Sequence, residues 1–380
     1  MAHIHITLVG GQPVPVYNGI IATSPDKVVF IYSESSKNQI EVIKSEINQN
    51  IIIEEQPPLS ATDPNEIFDR AQYLAETHKE DTITLNISSG LKSWSHLFAR
   101  VFDSLPNTTI IYIDQNNNVW NYSTMSLQGK VEFDIDISFK LQNNALTHYT
   151  SFTDFTQEDK DIMDKLIIAR KYNFVRFNEL TTVLSKKQQN ILEHQPQGRF
   201  EKSFSDYVEW DKPNFVRLCL TNKNYGIKEF LLQSPHAISL AFNAGWFEYK
   251  IARMLSHWRH AKDIRLNCKF PLRNTNNVQF PKNEIDIIVN TGSKILFVEC
   301  KTQITSSTDI DKFRTAVKNY GGMGSKALFI TEALMRPVDV EKCIESNIIP
   351  FSLNDPTADP QREQALFKLL EQKLSIINEK

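Results

Sequence analysis

The chain has 380 residues, of which 41% are hydrophobic and 23% charged, and its formal net charge is −3 at pH 7. This length predicts two or three domains with cores of their own, and the near-neutral charge excludes a global positive field that would recruit nucleic acid. The four cysteines are widely spaced, no apolar run approaches the ~18 residues of a membrane span, and the N-terminus lacks a signal-peptide layout. We therefore expect a cytoplasmic protein without a disulfide framework, a zinc site or a membrane segment.

The first third of the chain alternates predicted strands with predicted helices. Strands are expected at 3–9, 28–32, 51–54, 82–87 and 109–114, and helices near 15–23, 37–48, 64–79 and 93–104. This alternation is typical of βαβ crossovers, so it predicts an α/β domain with a parallel, doubly wound, Rossmann-like sheet. We place this domain at residues 1–145.

Two loops of this domain have a composition suited to binding a ligand. They comprise Gly10, Gly11, Gln12 and Pro13 after the first strand, and Asn86, Ser88, Ser89, Gly90, Leu91 and Lys92 after the fourth. In doubly wound sheets, ligands bind at the carboxyl ends of strands, where helix N-termini offer N–H groups to anions. The small residues permit close approach, and Lys92 can contact a phosphate. Neither G-x-G-x-x-G nor a Walker A sequence is present, and a helix-capping turn with a solvated lysine is the alternative interpretation.

The middle of the chain contains no motif that carries chemistry. Polar runs around 123–130 and 142–151 predict a linker region, and helical spacing resumes at 156–170 and again near 176–193. We expect a small helical or winged-helix module there, and we group it with the C-terminal domain, 146–380.

Residues 284–301 contain two apolar runs on either side of Thr-Gly-Ser, which predicts a β-hairpin with a two-residue loop. A Thr-Gly loop places Asp286 opposite Phe297 and diagonal to Glu299. A Gly-Ser loop places Asp286 directly opposite Glu299. Both registers therefore bring the two carboxylates to one face of the hairpin.

Strand alternation adds a lysine to that face. Asp286, Glu299 and Lys301 share it, and the other face is predicted to hold Ile285, Ile287, Val289, Leu296, Val298 and Cys300. Two neighbouring carboxylates raise each other's pKa unless a cation lies between them, and hard oxygen ligands favour Mg²⁺ or Mn²⁺. A nearby lysine can orient an attacking water and neutralise charge on a phosphate. The pattern predicts a phosphodiester hydrolase, with an exposed Lys–Glu pair as the alternative.

A predicted helix that begins near Gly245 supplies a further acid. Glu248 lies at the edge of the apolar stripe, where it either faces the sheet or extends along the surface to solvent. The following residues hold seven cations and a single acid, Asp263; the cations are Lys250, Arg253, Arg259, Lys262, Arg265, Lys269 and Arg273. This excess predicts a local basic patch that runs toward the hairpin, with an ordinary solvated helix face as the alternative.

The spacing Asp-x12-Glu-Cys-Lys of Asp286, Glu299 and Lys301 resembles the PD-(D/E)xK nuclease superfamily. Gly245-Trp246-Phe247-Glu248 and the later stretch 320–327 strengthen the likeness. The resemblance implies a restriction-endonuclease-like α/β domain in which Asp286, Glu299 and the backbone carbonyl of Cys300 hold one or two Mg²⁺ or Mn²⁺ ions. It adds Glu248 as a further candidate ligand and gives Lys301 the task of aligning the attacking water.

The first domain resembles a CARF domain, and the whole chain resembles the CARF nuclease effectors of type III CRISPR immunity. Asn86, Gly90 and Lys92 match the loop pattern Asn-x-Thr-Gly-Gly-Thr-Lys, whereas Ser89 and Leu91 depart from it. The resemblance implies that a cyclic oligoadenylate, most often cyclic tetra-adenylate, activates the protein and binds across the two-fold axis of a homodimer. It also implies a nucleic-acid substrate, DNA or RNA.

Two other functions remain open at this point. One is a non-catalytic nucleotide sensor whose C-terminal half only binds nucleic acid. The other is a restriction or repair nuclease that needs no activator.

Overall fold

A computed structural model describes residues 1–186, 195–271, 283–304, 306–322, 325–355 and 361–374. The strands within these ranges form three sheets. Arg273, the end of the predicted helix at 176–193 and part of the stretch 320–327 lie outside the described residues.

The first sheet has seven strands in the order β3-β2-β1-β4-β5-β6-β7. They are β1 (His3–Val9), β2 (Lys27–Tyr32), β3 (Ile52–Glu55), β4 (Thr82–Asn86), β5 (Thr108–Ile113), β6 (Asn118–Asn121) and β7 (Ser126–Lys130). Its helices are α1 (Pro13–Thr23), α2 (Lys37–Glu46), α3 (Pro64–Thr77) and α4 (Lys92–Phe102). The first five strands in this order pair in parallel and the last two are antiparallel. The predicted Rossmann-like parallel sheet is confirmed.

The predicted linker at 123–130 is wrong in part, because β7 forms the edge of this sheet. All five of its side chains are exposed. The segment therefore lacks the apolar alternation by which a half-buried strand is recognised in a sequence.

The strand order creates a crevice at the centre of the first sheet. β1 lies between β2 and β4, and the order of the strands along the chain reverses at the pair β1 and β4. Doubly wound sheets bind ligands beyond the carboxyl ends of the strands at such a reversal. The loops after β1 and β4 lie at this position.

A second module, residues 157–241, follows the first sheet and is called the middle module below. It contains a four-stranded antiparallel sheet in the order β12-β11-β10-β9. Its elements are α6 (Gln157–Tyr172), α7 (Phe174–Lys186), β9 (Gln197–Ser203), β10 (Asp206–Asp211), β11 (Phe215–Asn222), β12 (Gly226–Gln233) and α8 (Ala237–Ala241). The predicted helices are present in the described part, but the sequence interpretation missed the sheet. The alternation of apolar Val208 and Trp210 with Glu209 and Asp211 in β10 was a usable sequence signal for a strand.

The third sheet has six strands in the order β17-β16-β15-β14-β13-β8. Its strands are β8 (His148–Ser151), β13 (Asp263–Phe270), β14 (Asn283–Asn290), β15 (Ile295–Lys301), β16 (Ser325–Thr331) and β17 (Ile348–Ser352). The helices of this part are α9 (Gly245–Ser256), α10 (Thr308–Tyr320), α11 (Pro337–Glu345) and α12 (Arg362–Leu374). One face of the sheet packs against α9 and α12 and the other against α10. The expected second α/β domain is therefore present, and β8 occupies part of the predicted linker at 142–151.

A short helix, α5 (Ile135–Lys140), connects the first and third sheets. Phe139 lies edge-on to Phe270 and Phe297, with ring centroids 5.2 and 6.2 Å apart. The guanidinium of Arg265, which is only 7% exposed, donates two hydrogen bonds to Asp136, at 2.5 and 2.9 Å. The helix thus contributes side chains to the core of the third sheet. The domain boundary at residue 145 stays a prediction.

No helix within the described ranges combines the length and the apolar character that crossing a membrane requires.

Candidate functional site

The hairpin of β14 and β15 has the Gly-Ser loop of the second predicted register. Ile287 pairs with Val298 and Asn290 with Ile295, and the N–H of Thr291 donates to the carbonyl of Lys294 at 3.0 Å. The ladder ends at Ile287. Beyond it, the backbone N–H of Cys300 donates to Oδ2 of Asp286 at 2.7 Å. The carboxylate therefore takes the place of a ladder partner where the two strands part.

One part of the predicted face assignment is wrong. Ile285 packs in the core beneath α10, whereas Ile287 packs in the core beneath α9. The neighbouring strand has Asn267 in a left-handed conformation, with φ of 52°, and the regular pairs on either side of it are Leu266–Ile287 and Cys268–Ile285. This backbone irregularity reverses the side-chain alternation at the position opposite Asp286. A sequence pattern of period two does not reveal it.

The three predicted catalytic side chains converge at the open end of the hairpin. Nζ of Lys301 lies 2.5 Å from Oε1 of Glu299 and 3.7 Å from Oδ2 of Asp286. The carboxyl side chains are 14% and 15% exposed, and that of Lys301 is 32% exposed. The lysine therefore lies between two largely buried carboxylates at the edge of the protein.

Burial and mutual repulsion control protonation in this cluster. Burial, followed by the negative charge of Asp286, raises the pKa of Glu299 to about 8. Burial alone lowers the pKa of Lys301, but the charges of Asp286 and Glu299 outweigh it and raise this pKa above its ordinary value. The cluster therefore favours protonation of Glu299 and keeps Lys301 charged at neutral pH.

Glu248 belongs to the same electrostatic cluster. It lies in the first turn of α9, which packs against β13, β14 and β15. Burial raises the pKa of Glu248 well above its ordinary value, and the charges of Asp286 and Glu284 raise it further. Its place in a helix packed on these strands, within electrostatic reach of Asp286 and Glu284, agrees with the sequence interpretation in which the side chain faces the sheet.

The carboxylate oxygens of Asp286 and Glu299 are hard donors of the kind that bind divalent cations. Across the described ranges, no group of three His, Cys, Asp or Glu side chains is arranged to hold a metal ion. The side-chain donors are Asp286 and Glu299, with the ammonium of Lys301 between them. A carboxyl pKa of about 8 marks a site that needs more positive charge, and a hard divalent cation would supply it.

A cleft of about 1130 Å³ adjoins Lys301. The middle module forms one wall of it with Arg170, Lys171 and Phe174, and α9 adds Trp246 and Lys250. The sequence interpretation assigned no chemistry to the middle module and missed these wall residues. Arg170 and Lys171 in the last turn of α6, followed by Phe174, were the sequence signal for a surface that binds an anion.

The predicted basic patch does not form one continuous surface. Arg265 is buried and paired with Asp136 and Asp263, and Nε of Arg259 lies 3.2 Å from Glu371. Of the seven predicted cations, Lys250 lines the cleft.

The two predicted ligand loops of the first domain are joined to each other. Oγ of Ser89 accepts a hydrogen bond from the N–H of Gly10 at 3.1 Å and donates one to the carbonyl of Gln12 at 3.1 Å. A Cβ at Gly10 would lie 2.7 Å from the backbone nitrogen of Gly90, whose own φ is +79°. Only small residues fit where these loops meet. The structure thus brings Gly10, Gln12, Ser89 and Gly90 together.

Three other predicted residues have structural contacts of their own. Oδ1 of Asn86, a buried residue, accepts from the N–H and the hydroxyl of Ser88 at 3.0 and 2.5 Å. Oγ of Ser88 also accepts from the N–H of Ile113 at 2.6 Å. Pro13 is buried as the first residue of α1. These residues shape the loops, whereas Gly11, Leu91 and Lys92 are exposed beside them.

The N-termini of two helices open near this junction. α1 begins after Gln12 and α4 after Leu91, and neither has a side-chain cap or an acid in its first turn. The first turn of α4 offers uncapped N–H groups, whereas in α1 Pro13 and Pro15 have no N–H and Val14 is the donor. These donors and the positive ends of the two helix dipoles favour an anion. This crevice is therefore suited to binding a phosphate.

The fold joins a doubly wound domain with a crevice suited to an anion to a second α/β domain with a cluster of two carboxylates and a lysine. Residues 4–141 match the family model described as the Card1 CARF domain, so this part of the chain is a CARF domain. No curated protein matches the chain in sequence.

Solved structures resemble the chain over nearly its whole length. Can2 from Sulfobacillus thermosulfidooxidans, solved in complex with cyclic tetra-adenylate, has a TM-score of 0.65 and 13% identity, covering 98% of this chain and 99% of Can2. Protein VC1899 from Vibrio cholerae has a TM-score of 0.69 and 14% identity, covering 98% and 97%. A type III CRISPR defence DNA nuclease activated by cyclic oligoadenylate has a TM-score of 0.58 and 14% identity; the match covers 98% of this chain and 52% of that one. At these identities the likeness shows a shared fold.

Proposed function

We propose that this protein is a metal-dependent endonuclease of type III CRISPR antiviral defence that cyclic tetra-adenylate activates. The observation that carries the proposal is the convergence of Asp286, Glu299 and Lys301 where β14 and β15 part, in a chain that also contains a CARF domain. The substrate is the phosphodiester backbone of DNA, RNA or both. A binding protein without catalysis has no need of this cluster.

Asp286, Glu299 and the backbone carbonyl of Cys300 would hold Mg²⁺ or Mn²⁺, with Glu248 as a further ligand. When bound, the ion supplies Lewis-acid activation of a water and of the scissile phosphate. The N–H of Cys300 keeps the carboxylate of Asp286 oriented through its 2.7 Å hydrogen bond. Lys301, charged at neutral pH, positions the attacking water and offsets negative charge as it grows on the phosphate.

The activator would bind at the junction of the two loops of the CARF domain. Gly10, Gly11 and Gln12 from one loop and Ser88 to Lys92 from the other would face the ring, and the N-termini of α1 and α4 would receive its phosphates. A cyclic tetramer has two-fold symmetry. In a homodimer, each protomer would contribute one copy of both loops.

A small cavity connects the proposed activator site with the hairpin. It has a volume of about 150 Å³ and is lined by Gln12 and Ser88 of the CARF domain and by Ser293 and Lys294 of the hairpin. The hairpin carries Asp286 and Glu299 at its opposite end. A shift of the loops on binding the activator would change the walls of this cavity, and we propose that the hairpin carries this change to Asp286 and Glu299.

The test is cleavage of labelled single-stranded DNA, single-stranded RNA and duplex DNA by the purified protein in Mn²⁺, with and without cyclic tetra-adenylate. We expect cleavage of at least one substrate only when the activator is present. Cleavage without it would favour an activator-independent nuclease. Activator binding without any cleavage would favour a non-catalytic sensor.

A further inference from the structure

Arg170 occupies a specific place in the wall of the cleft beside Lys301. It lies in the last turn of α6, and its guanidinium is 4.7 Å from the ring centroid of Phe174 and 5.0 Å from that of Trp246. Aromatic contacts of this kind attract the guanidinium and fix its plane. The middle module thus presents a pre-oriented cation to the cleft.

This arginine is tied to the strand end that carries Lys301. Its Nη2 lies 2.7 Å from Oε2 of Glu332, and the backbone N–H of Glu332 donates to the carbonyl of Lys301 at 3.1 Å. Arg170 therefore reaches from one module to the residue hydrogen-bonded to the catalytic lysine. The contact places it close to the proposed cleavage site without making it part of that site.

Arg170 still has a donor to offer. Its Nε is buried and has no hydrogen-bond partner in the described part of the chain. Lys171 and Lys250 line the same cleft, and neither forms an ion pair within the described residues. Of the three acids in the lining, Glu179 is paired with Arg176 at 2.6 Å and Glu332 with Arg170, so Asp309 is the acid left to offset Lys171 and Lys250. The wall thus has more positive charge than its neighbouring acids offset, which favours an anion.

We propose that Arg170, assisted by Lys171 and Lys250, binds a phosphate of the substrate strand adjacent to the scissile one, and that Glu332 holds the guanidinium in place until this phosphate displaces it. The planar fork of an arginine pairs with two oxygens of a phosphate, whereas Glu332 engages Nη2 and leaves Nε unpaired. This inference rests on the proposed nuclease function. It assigns Arg170 a positioning role, and the chemistry stays with Lys301 and the carboxylates.

The proposal predicts opposite effects for the two partners of the ion pair. Loss of Arg170 removes a phosphate contact, so nucleic acid should bind more weakly. Loss of the charge on Glu332 removes the competitor for the same guanidinium, so nucleic acid should bind more tightly. If the Arg170–Glu332 ion pair only stabilises the packing of the middle module on the third sheet, loss of either partner should change nucleic-acid affinity in the same direction.

The experiment measures binding separately from cleavage. Fluorescence anisotropy follows fluorescein-labelled single-stranded DNA, single-stranded RNA and duplex DNA on the full-length Glu299→Gln protein, in Mg²⁺ and saturating cyclic tetra-adenylate. Adding Arg170→Gln should weaken binding about tenfold and reduce the slope of log affinity against log salt by about 0.7. Adding Glu332→Gln should tighten binding about threefold, the scale of a partly exposed ion pair.

The matched control for charge is Lys368→Gln, an exposed lysine on α12 outside the cleft lining. It should change affinity by less than about twofold, since a distant exposed cation contributes little through screened solvent. Lys250→Gln is a second, independent test within the cleft and should also weaken binding. It tests the same site if the Arg170→Gln protein does not fold.

The outcomes separate this inference from the proposed function. If the Glu299→Gln protein binds none of the three probes, the nuclease proposal itself is contradicted. If it binds and the Arg170 and Lys250 variants keep its affinity and salt slope, the phosphate site is overturned. Weaker binding by both Arg170→Gln and Glu332→Gln would also overturn it and make the pair a structural fastening.

Discussion

At the scale of single residues, the proposed catalytic centre depends on two carboxylates that the protein holds at an energetic cost. Glu299 and Asp286 are largely buried, and their repulsion is relieved in part by Lys301. Groups with strongly shifted pKa values concentrate at functional sites, because burial and like charges are arranged there for chemistry. We therefore expect a divalent cation to stabilise the proposed centre.

Replacing either carboxylate should stop cleavage without affecting the sensor. Asp286→Asn retains an oxygen that can accept the N–H of Cys300, and Glu299→Gln retains the side-chain shape, so both variants should fold. We expect cleavage to fall to background in both, while calorimetry gives an unchanged affinity for cyclic tetra-adenylate. Near wild-type turnover in both variants would contradict the assignment of the centre.

Lys301→Ala should lower the cleavage rate by about 10²-fold at saturating metal, the scale of a positioned catalytic group. Single-turnover rates measured over a range of Mn²⁺ concentrations provide the test. Complete rescue by additional Mn²⁺ would show that the lysine only balances the charge of the carboxylates.

The pKa of Glu299 predicts how metal binding depends on pH. The carboxyl group is protonated below its pKa of about 8 in the metal-free protein, and a metal ion binds the deprotonated form. Mn²⁺ affinity should therefore rise as the pH increases from 6 toward 8, and binding at pH 7 should release protons. Calorimetry in buffers of different ionisation enthalpy measures that release. The Glu299→Gln variant is the control and should show a weaker dependence on pH.

At the scale of elements, loops and strand ends hold both proposed sites on rigid sheets. The junction of the loops after β1 and β4 depends on Ser89, whose hydroxyl contacts both Gly10 and Gln12. The exposed Lys92 in the first turn of α4 makes no such structural contact within the described residues. Its charge is therefore available to a ligand.

Lys92→Ala should increase the concentration of cyclic tetra-adenylate needed for cleavage and leave the maximal rate intact. A ligand shifts an equilibrium only by its differential affinity for the two states, and saturation restores the shift. A cleavage titration together with calorimetry measures both quantities, and Lys79→Ala, an exposed lysine at the opposite end of this sheet, is the control. Unaltered binding by both Lys92→Ala and Ser89→Trp would place the activator elsewhere.

The sequence predicts these elements to different extents, for identifiable reasons. The five parallel strands and the carboxylate hairpin follow from strong apolar periodicity and turn chemistry, which are local properties. The reversal of side-chain alternation beside Asn267 and the inward turn of Arg265 depend on neighbouring strands and on α5. Arg170 and Glu332 are far apart in the sequence, so only the folded chain shows that they meet.

At the scale of the whole molecule, α5 is the structural link between the CARF domain and the third sheet. Phe139 is fully buried in the core of the third sheet, and the next residue after α5, Leu141, is buried in the core of the CARF domain. Asp136 binds Arg265 on β13, which pairs with β14, the strand of Asp286. A movement of the CARF domain would reach the third sheet through these contacts.

Asp136→Ala should reduce the ratio of activated to basal cleavage, because it removes a bidentate contact between α5 and β13. The control is Glu46→Ala, which removes the pair with Lys140 on the CARF side of the same helix, at 3.3 Å. Cleavage rates with and without saturating activator give the ratio for each variant. An equal ratio in wild type and Asp136→Ala would show that this contact does not transmit activation.

In the proposed function, one chain combines a cyclic-oligoadenylate sensor with a nuclease centre of two carboxylates and a lysine. The most direct test compares wild type with Glu299→Gln in Mn²⁺, using labelled single-stranded DNA, single-stranded RNA and duplex DNA, as cyclic tetra-adenylate is titrated. We expect activator-dependent cleavage by wild type and equal activator binding without cleavage by Glu299→Gln. Cleavage that is unchanged by the activator, or that persists in Glu299→Gln, would contradict the proposed function.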